Sequence, residues 1–189
     1  MKVIQLHQEE KQLIMLAVEN NRQAQQQIYA KFSSKMLSVC RQYIKDIHHA
    51  EDVMITGFMK VFTNLKNFEH KGSFEGWIRR IMVYECIDFI RVKKNNFNHQ
   101  DIDDVTVSEN ESVYEMEDFS VDDIQNMIDN LPDGYKMVFN LYAIEGYKHQ
   151  EIAEMLKISE GTSKSQLSNA RKLLQQQITE LKKKLNGTK

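Results

Sequence analysis

The chain has 189 residues, 41% of them hydrophobic, with one proline, seven glycines and a formal net charge of −2. So few turn formers argue against an all-β fold. No run of about 18 apolar residues offers a membrane span, and residues 1–10 lack the apolar core of a secretory signal, so a cytoplasmic protein is expected. In chain order, Ile28, Phe32, Met36, Cys40, Tyr43, Ile44 and Ile47 recur at spacings of three and four from Ala24 onward, predicting a long amphipathic helix. Residues 46–49 break it. A second helix carries Ala50, Val53, Met54, Phe58, Val61, Phe62 and Leu65 on one side. Residues 67–73 read as a loop. A third helix begins near Ser73, a plausible N-cap, carries Phe74, Trp77, Ile78, Ile81, Ile87 and Ile90, and ends in the basic cluster Arg91, Lys93 and Lys94.

The modest net charge hides a segregation. Residues 1–95 carry a net of +5, residues 96–123 a net of −10 with no Lys or Arg, and residues 124–189 a net of +3. The middle segment has no sustained period and reads as an acidic linker that self-repels and stays extended. The expected fold is therefore all-α, with two small helical domains, 1–95 and 124–189, joined by the linker 96–123. After the linker, Ile124, Met127, Ile128 and Leu131 predict a short helix stopped by Pro132. A helix over 135–144 and a turn at Glu145-Gly146 follow. Two closely spaced helices come last, 148–156 and one starting after Ser159, an N-cap with Glu160 in the first turn. Leu167, Ala170, Leu174, Ile178, Leu181 and Leu185 continue its apolar side.

Cys40 and Cys86 both lie in apolar helical patterns and read as buried thiols rather than a disulfide. The six histidines make no metal spacing, and no phosphate-cradling glycine loop or nucleophile motif is present. Neither a metal, a cofactor, a small-molecule substrate nor catalytic activity is expected.

The last helix pair has the pattern of a DNA-reading helix-turn-helix. Ile152, Ala153 and Leu156 face inward, Ile158 plugs the turn, and Leu167 and Ala170 anchor the second helix. Its outward side is expected to present Thr162, Lys164, Ser165, Gln166, Asn169, Arg171 and Lys172, residue types that hold phosphates and read base edges. An ordinary helical hairpin with a solvated polar face has the same spacing. Lys157 stands in the turn where glycine is usual, and Ser163 where a hydrophobic residue is.

Taken together these motifs resemble the extracytoplasmic-function (ECF) group of the sigma-70 family over nearly the whole chain. Ala50-Glu51-Asp52-Val53, then Gly57-Phe58 and Val61-Phe62, resembles the helix that docks on the clamp helices of RNA polymerase. The resemblance gives Glu51, Asp52, Phe58, Val61 and Phe62 that role. Phe68, then Gly72-Ser73-Phe74-Glu75-Gly76-Trp77-Ile78-Arg79-Arg80-Ile81, with Asp88 and Arg91, resembles the element that opens and reads the −10 promoter sequence. It implies a loop that accepts a flipped base, stacking contacts from Phe68, Trp77 and Tyr84, and contributions from Lys71, Ser73, Arg79, Arg80, Asp88, Arg91, Lys93 and Lys94. By spacing with Phe74 and Ile81, a residue such as Trp77 is more often part of the core. Leu131-Pro132 through Gly146-Tyr147, Glu151-Ile152-Ala153 and Glu160-Gly161-Thr162 resembles the part that binds the −35 element.

The implied partners are core RNA polymerase (clamp helices and flap), promoter DNA and an anti-sigma factor, with no membrane insertion. The linker would thread toward the electropositive polymerase cleft, where Asp101, Asp103, Asp104, Glu115, Glu117 and Asp118 mimic nucleic acid. Two departures stand out. Ile55-Thr56 occupies the place of a frequent Gln-Glu pair, and Gln166 and Asn169 replace common arginines, shifting base preference toward adenine. The competing reading is a dimeric helix-turn-helix regulator whose first half is a dimerisation or ligand domain; it predicts a symmetric dimer on a palindromic site.

Overall fold

The computed structural model describes the backbone of residues 2–96 and 119–186 and the side chains of residues 9–93 and 119–183. Every regular element among the described residues is a helix, and the chain divides into two compact units, 1–89 and 90–189. The acidic residues proposed as a nucleic-acid mimic lie outside the described residues.

The first unit opens with α1 (Lys2–Val18), which the sequence pattern did not single out. Ile14 and Ala17 are buried, yet they sit in an unbroken apolar run, 13–18, whose Met15 is 66% exposed. The continuous run conceals the helical period. Asn20, in the left-handed region at φ 62°, ends the helix, and the Asn21 side chain accepts from the Ala24 N–H to start α2 (Arg22–Tyr43). Its stripe of Ile28, Phe32, Met36, Val39 and Cys40 is buried, each large side chain contributing about 1.5–3 kcal/mol. The stripe was expected to run to Ile47. The helix ends at Tyr43 and the buried stripe at Ile44, because Asp46 turns its carboxylate to the His49 N–H and caps a new helix, α3 (Ile47–Asn64), whose Ile47 is exposed. That hydrogen bond holds the Asp46 carboxyl below its ordinary value.

A 3-10 turn (Leu65–Asn67) and a loop lead to α4 (Phe74–Asn96). The loop reverses direction through two left-handed residues, His70 at φ 56° and Gly72 at φ 101°. Phe74, Ile78, Met82, Val83, Cys86 and Ile87 form the buried side of α4. Gly57 of α3 lies directly against the Met82 side chain, so a Cβ there would have no room. Beside this crossing, Lys60 of α3 donates to Glu85 of α4, whose side chain is only 9% exposed. Both cysteines are buried thiols outside any disulfide.

The first helix after the acidic segment begins a little earlier than its apolar residues, Ile124 onward, suggested. Ser120 and Asp123 form a capping box that starts α5 (Val121–Asp129). Pro132 then serves as N-cap to α6 (Asp133–Phe139), and the chain continues as a π-helical turn, Asn140–Ile144. Next come α7 (His149–Leu156) and α8 (Glu160–Asn186). Lys157 takes the left-handed conformation, φ 56° and ψ 45°, that the turn between them demands. Leu131, Tyr135 and Ala170 form one cluster of the second unit's core, with Phe139, Leu173 and Leu174 packed on it, and Val138, Leu141, Ile152 and Leu167 are buried as well.

Candidate polymerase and nucleic-acid interfaces

On α3 the five residues expected to dock a partner divide. Phe58 and Val61 are core, at 3% and 0% exposure, and Phe58 is packed edge-on by Tyr29 and beside the half-buried Phe62. Only Glu51 and Asp52 look outward from that set. Continuing one turn at a time from Asp52, the exposed face adds Ile55, Thr56 and Met59, with Ile55 at 49% and Met59 at 65% exposure. Ile55 and Met59 were not singled out for docking, although the three- and four-residue spacing from Asp52 would have found them.

Around the loop before α4, four rings cluster. Phe68 lies 4.7 Å from His70, 5.1 Å from Phe74 and 5.5 Å from Trp77. Trp77 in turn stacks on Phe74 at 5.9 Å and 14°. Both readings of Trp77 meet here, since one side packs on Phe74 and the residue stays partly exposed. Phe68 is buried and supports the cluster from below. Ser73 caps α4 by accepting from the Gly76 N–H at 3.0 Å, and Lys71 is exposed and paired with Glu69.

Down α4, Ser73, Trp77, Arg80, Tyr84, Asp88 and Arg91 share one stripe at helical spacing. The Arg80 guanidinium lies 5.8 Å from the Tyr84 ring centroid. Arg79 falls off this stripe: the residues one turn on from it, Met82 and Val83, are buried. Lys93 is exposed, and the Lys94 side chain lies outside the described residues. An aromatic nest beneath a sharply turned loop, continued by a stripe with two arginines, suits capture of an unpaired base and its backbone.

In the second unit, α8 was expected to turn seven residues outward. Lys164, Ser165 and Arg171 are exposed, and Thr162 and Lys172 partly so. Gln166 and Asn169, partly exposed like Thr162 and Lys172, also flank α6. Gln166 sits against Gly134, where a Cβ would come 3.1 Å from its Nε2, and Asn169 Nδ2 donates to the Tyr135 hydroxyl at 3.3 Å. Ser168, which sequence reasoning passed over, is exposed between the outward residues. Lys164 donates to Glu160 at 2.7 Å, and that bond is the main cause holding the Glu160 carboxyl below its ordinary value. Ser163 is wholly buried, and its Oγ lies 2.9 Å from His149 Nδ1, so the missing apolar contact is replaced by a hydrogen bond between α7 and α8.

Among the described residues no helix is long and apolar enough to cross a membrane. Residues 28–96 match the family model of sigma-70 region 2, and residues 121–174 match that of sigma-70, region 4. The ECF RNA polymerase sigma factor SigW of Bacillus subtilis is 29% identical over 163 residues, covering 79% of this chain and 86% of its own. The ECF RNA polymerase sigma factor SigE of Mycolicibacterium smegmatis is 30% identical over 132 residues, 67% of this chain and 51% of its own. Two solved structures share the fold at 19% identity. One is the sigma factor RpoE in complex with the anti-sigma factor NepR from Bartonella quintana, with a TM-score of 0.53 over 82% of this chain and 96% of that one. The other is CnrH in complex with the cytosolic domain of CnrY, with a TM-score of 0.51 over 90% and 97%. A match over the first half as well as the second leaves the dimeric-regulator reading without support.

Proposed function

The chain belongs to the ECF group of the sigma-70 family, whose members direct core RNA polymerase to promoters, and on that premise we propose how its surfaces divide that work. Residues 1–95 bind the polymerase and the −10 element, residues 96–123 form the acidic connection, and residues 124–189 bind the −35 element. The protein acts in the cytoplasm as an initiation factor with no catalysis of its own.

Polymerase docking rests on the outward face of α3: Glu51 and Asp52 supply charge, and Ile55 and Met59 supply apolar area that water otherwise covers. Phe58, Val61 and Phe62 act beneath that face by fixing the helix. Opening of the −10 element falls to the nest of Phe68, His70, Phe74 and Trp77. This nest is the observation that carries the reading, because a core needs no ring-lined loop with two left-handed residues at its rim. A base leaving the duplex stack regains stacking there, worth about 1–3 kcal/mol per base. Arg80, Arg91, Lys93 and Lys94 hold the strand by its phosphates. On α8, Lys164, Ser165, Ser168, Arg171 and Lys172 face duplex DNA, while Gln166 and Asn169 reach it only along the flank beside α6.

The solved sigma factor RpoE is held by an anti-sigma factor, and CnrH by the cytosolic domain of CnrY. An anti-sigma factor for this chain follows from that likeness. The test of the whole reading is to mix the purified protein with bacterial core RNA polymerase and assay co-elution and transcription from genomic fragments. A complex that starts RNA at discrete sites supports it and yields the promoters. No complex, together with dimeric binding to duplex DNA, would remove it.

A further inference from the structure

The π-helical turn 140–144 does more than end α6. Its wide turn is closed by the Glu145 N–H donating to the Asn140 carbonyl at 3.0 Å. Asn140 and Leu141 are wholly buried, while the next residue, Tyr142, is lifted to 37% exposure. Two side chains from the helix-turn-helix meet its ring. The His149 imidazole stacks on it with centroids 4.7 Å apart and planes at 23°. The Arg171 guanidinium of α8 lies over it, 5.7 Å from the centroid. His149 is itself held from below by the buried Ser163 hydroxyl, 2.9 Å from Nδ1.

Arg171 contrasts with Lys164, the other outward cation near the start of α8. Lys164 is tied to Glu160. Among the described residues Arg171 has no carboxylate partner, and an aromatic face takes that place. A contact of this kind leaves guanidinium N–H groups to donate elsewhere, since a ring face neutralises no charge, and it restricts a flexible side chain before any ligand arrives. An exposed guanidinium held over a ring, with no carboxylate neutralising its charge among the described residues, suits a phosphate.

We infer that Tyr142, steadied by the His149–Ser163 bond, is a positioning residue that holds Arg171 ready for a backbone phosphate of the −35 duplex. The inference rests on the −35 role proposed above for this unit.

The test uses holoenzyme made from the full chain and core polymerase, with a promoter fragment recovered by the transcription assay, and measures affinity across a salt series. Arg171→Gln is expected to lower the salt slope by about 1, the loss of one phosphate contact. Tyr142→Ala is expected to weaken binding about two- to fivefold, the range of a surface cation–π contact. Tyr142→Phe, which keeps the ring, is expected to bind as the parent does. In the Arg171→Gln background Tyr142→Ala should cost nothing further. Thermal unfolding checks each variant, and Tyr142→Leu, which keeps the bulk, replaces the alanine variant if that one unfolds early. An equal loss from Tyr142→Ala (or Tyr142→Leu) in both backgrounds would overturn the inference, as would an unchanged salt slope in Arg171→Gln or a Phe variant as weak as the Ala one. Failure of the −35 role shows separately. Scrambling that element of the fragment would then leave the parent's affinity unchanged, and the inference would fall with it.

Discussion

At the scale of single residues, two side chains stand where another would be more stable or where removal leaves a debt. Lys157 occupies the left-handed turn between α7 and α8. A Cβ crowds the carbonyl in that conformation at a cost of about 1–2 kcal/mol, which glycine escapes while losing more chain entropy on folding. Lys157→Gly is therefore expected to stabilise the chain by about 0.5–1 kcal/mol, read as a higher urea midpoint. An unchanged or lower midpoint would mean the turn is not strained. Lys60 poses the opposite case, because it is the partner of the nearly buried Glu85 carboxylate. Lys60→Met should cost about 1–3 kcal/mol by stranding that group, and the double variant Lys60→Met with Glu85→Met should recover most of the loss. A double variant as unstable as the single one would show that the packing matters and the charge does not. Neither the Lys60–Glu85 pair nor the His149–Ser163 pair was legible in the sequence. Ser163 reads as a gap in an apolar pattern until the neighbouring helix supplies its partner, and nothing in the spacing announces a contact across 25 positions.

At the scale of elements, legibility followed periodicity. The stripes of α2, α3, α4 and α8 could be read because their apolar residues recur at three and four, and Ser73 and Ser159 mark helix starts by capping chemistry. α1 stayed hidden because 13–18 is apolar on every side, and the π turn at 140–144 has no sequence signature at all. Facing was legible only where a residue lay opposite the stripe, as Asp52 and Lys164 do. Phe58 and Val61 belong to the stripe itself and are buried, and Gln166 and Asn169 lie at its edge, where α6 decides which way they turn. The start of α8 also carries a consequence for DNA binding. Glu160 complements the helix dipole but ties up Lys164. The Lys164 bond keeps that carboxyl below its ordinary value, so it is ionised at any pH near neutrality and lowering pH to the ordinary carboxylate range does not release the lysine. Glu160→Gln should therefore raise holoenzyme affinity for −35 duplex and steepen its salt dependence, at a small loss of thermal stability. Affinity that falls with the substitution would mean that Glu160 orders the helix start for DNA rather than competing for its cation.

At the scale of the whole molecule the dominant feature is the charge order +5, −10, +3 along the chain, invisible in the net of −2. Both flanking segments have the sign that DNA attracts, and the segment between them has the sign of DNA itself. A stretch with ten carboxylates and no cation gains most by lying against a positive surface, as nucleic acid does. The polymerase cleft that receives template and nascent RNA has that character by its task. Replacing Asp101, Asp103, Asp104, Glu115, Glu117 and Asp118 with Asn or Gln removes six of those charges and changes side-chain volume little. The substituted chain should compete less well for core polymerase, and more so at low salt, where unscreened charges act over about 30 Å rather than 10 Å. It should also change the ratio of abortive to full-length RNA, since growing RNA would meet a weaker competitor for the same surface. Equal competition and an equal ratio at both salt concentrations would reduce the segment to a tether, and its acidity to a means of keeping that tether extended.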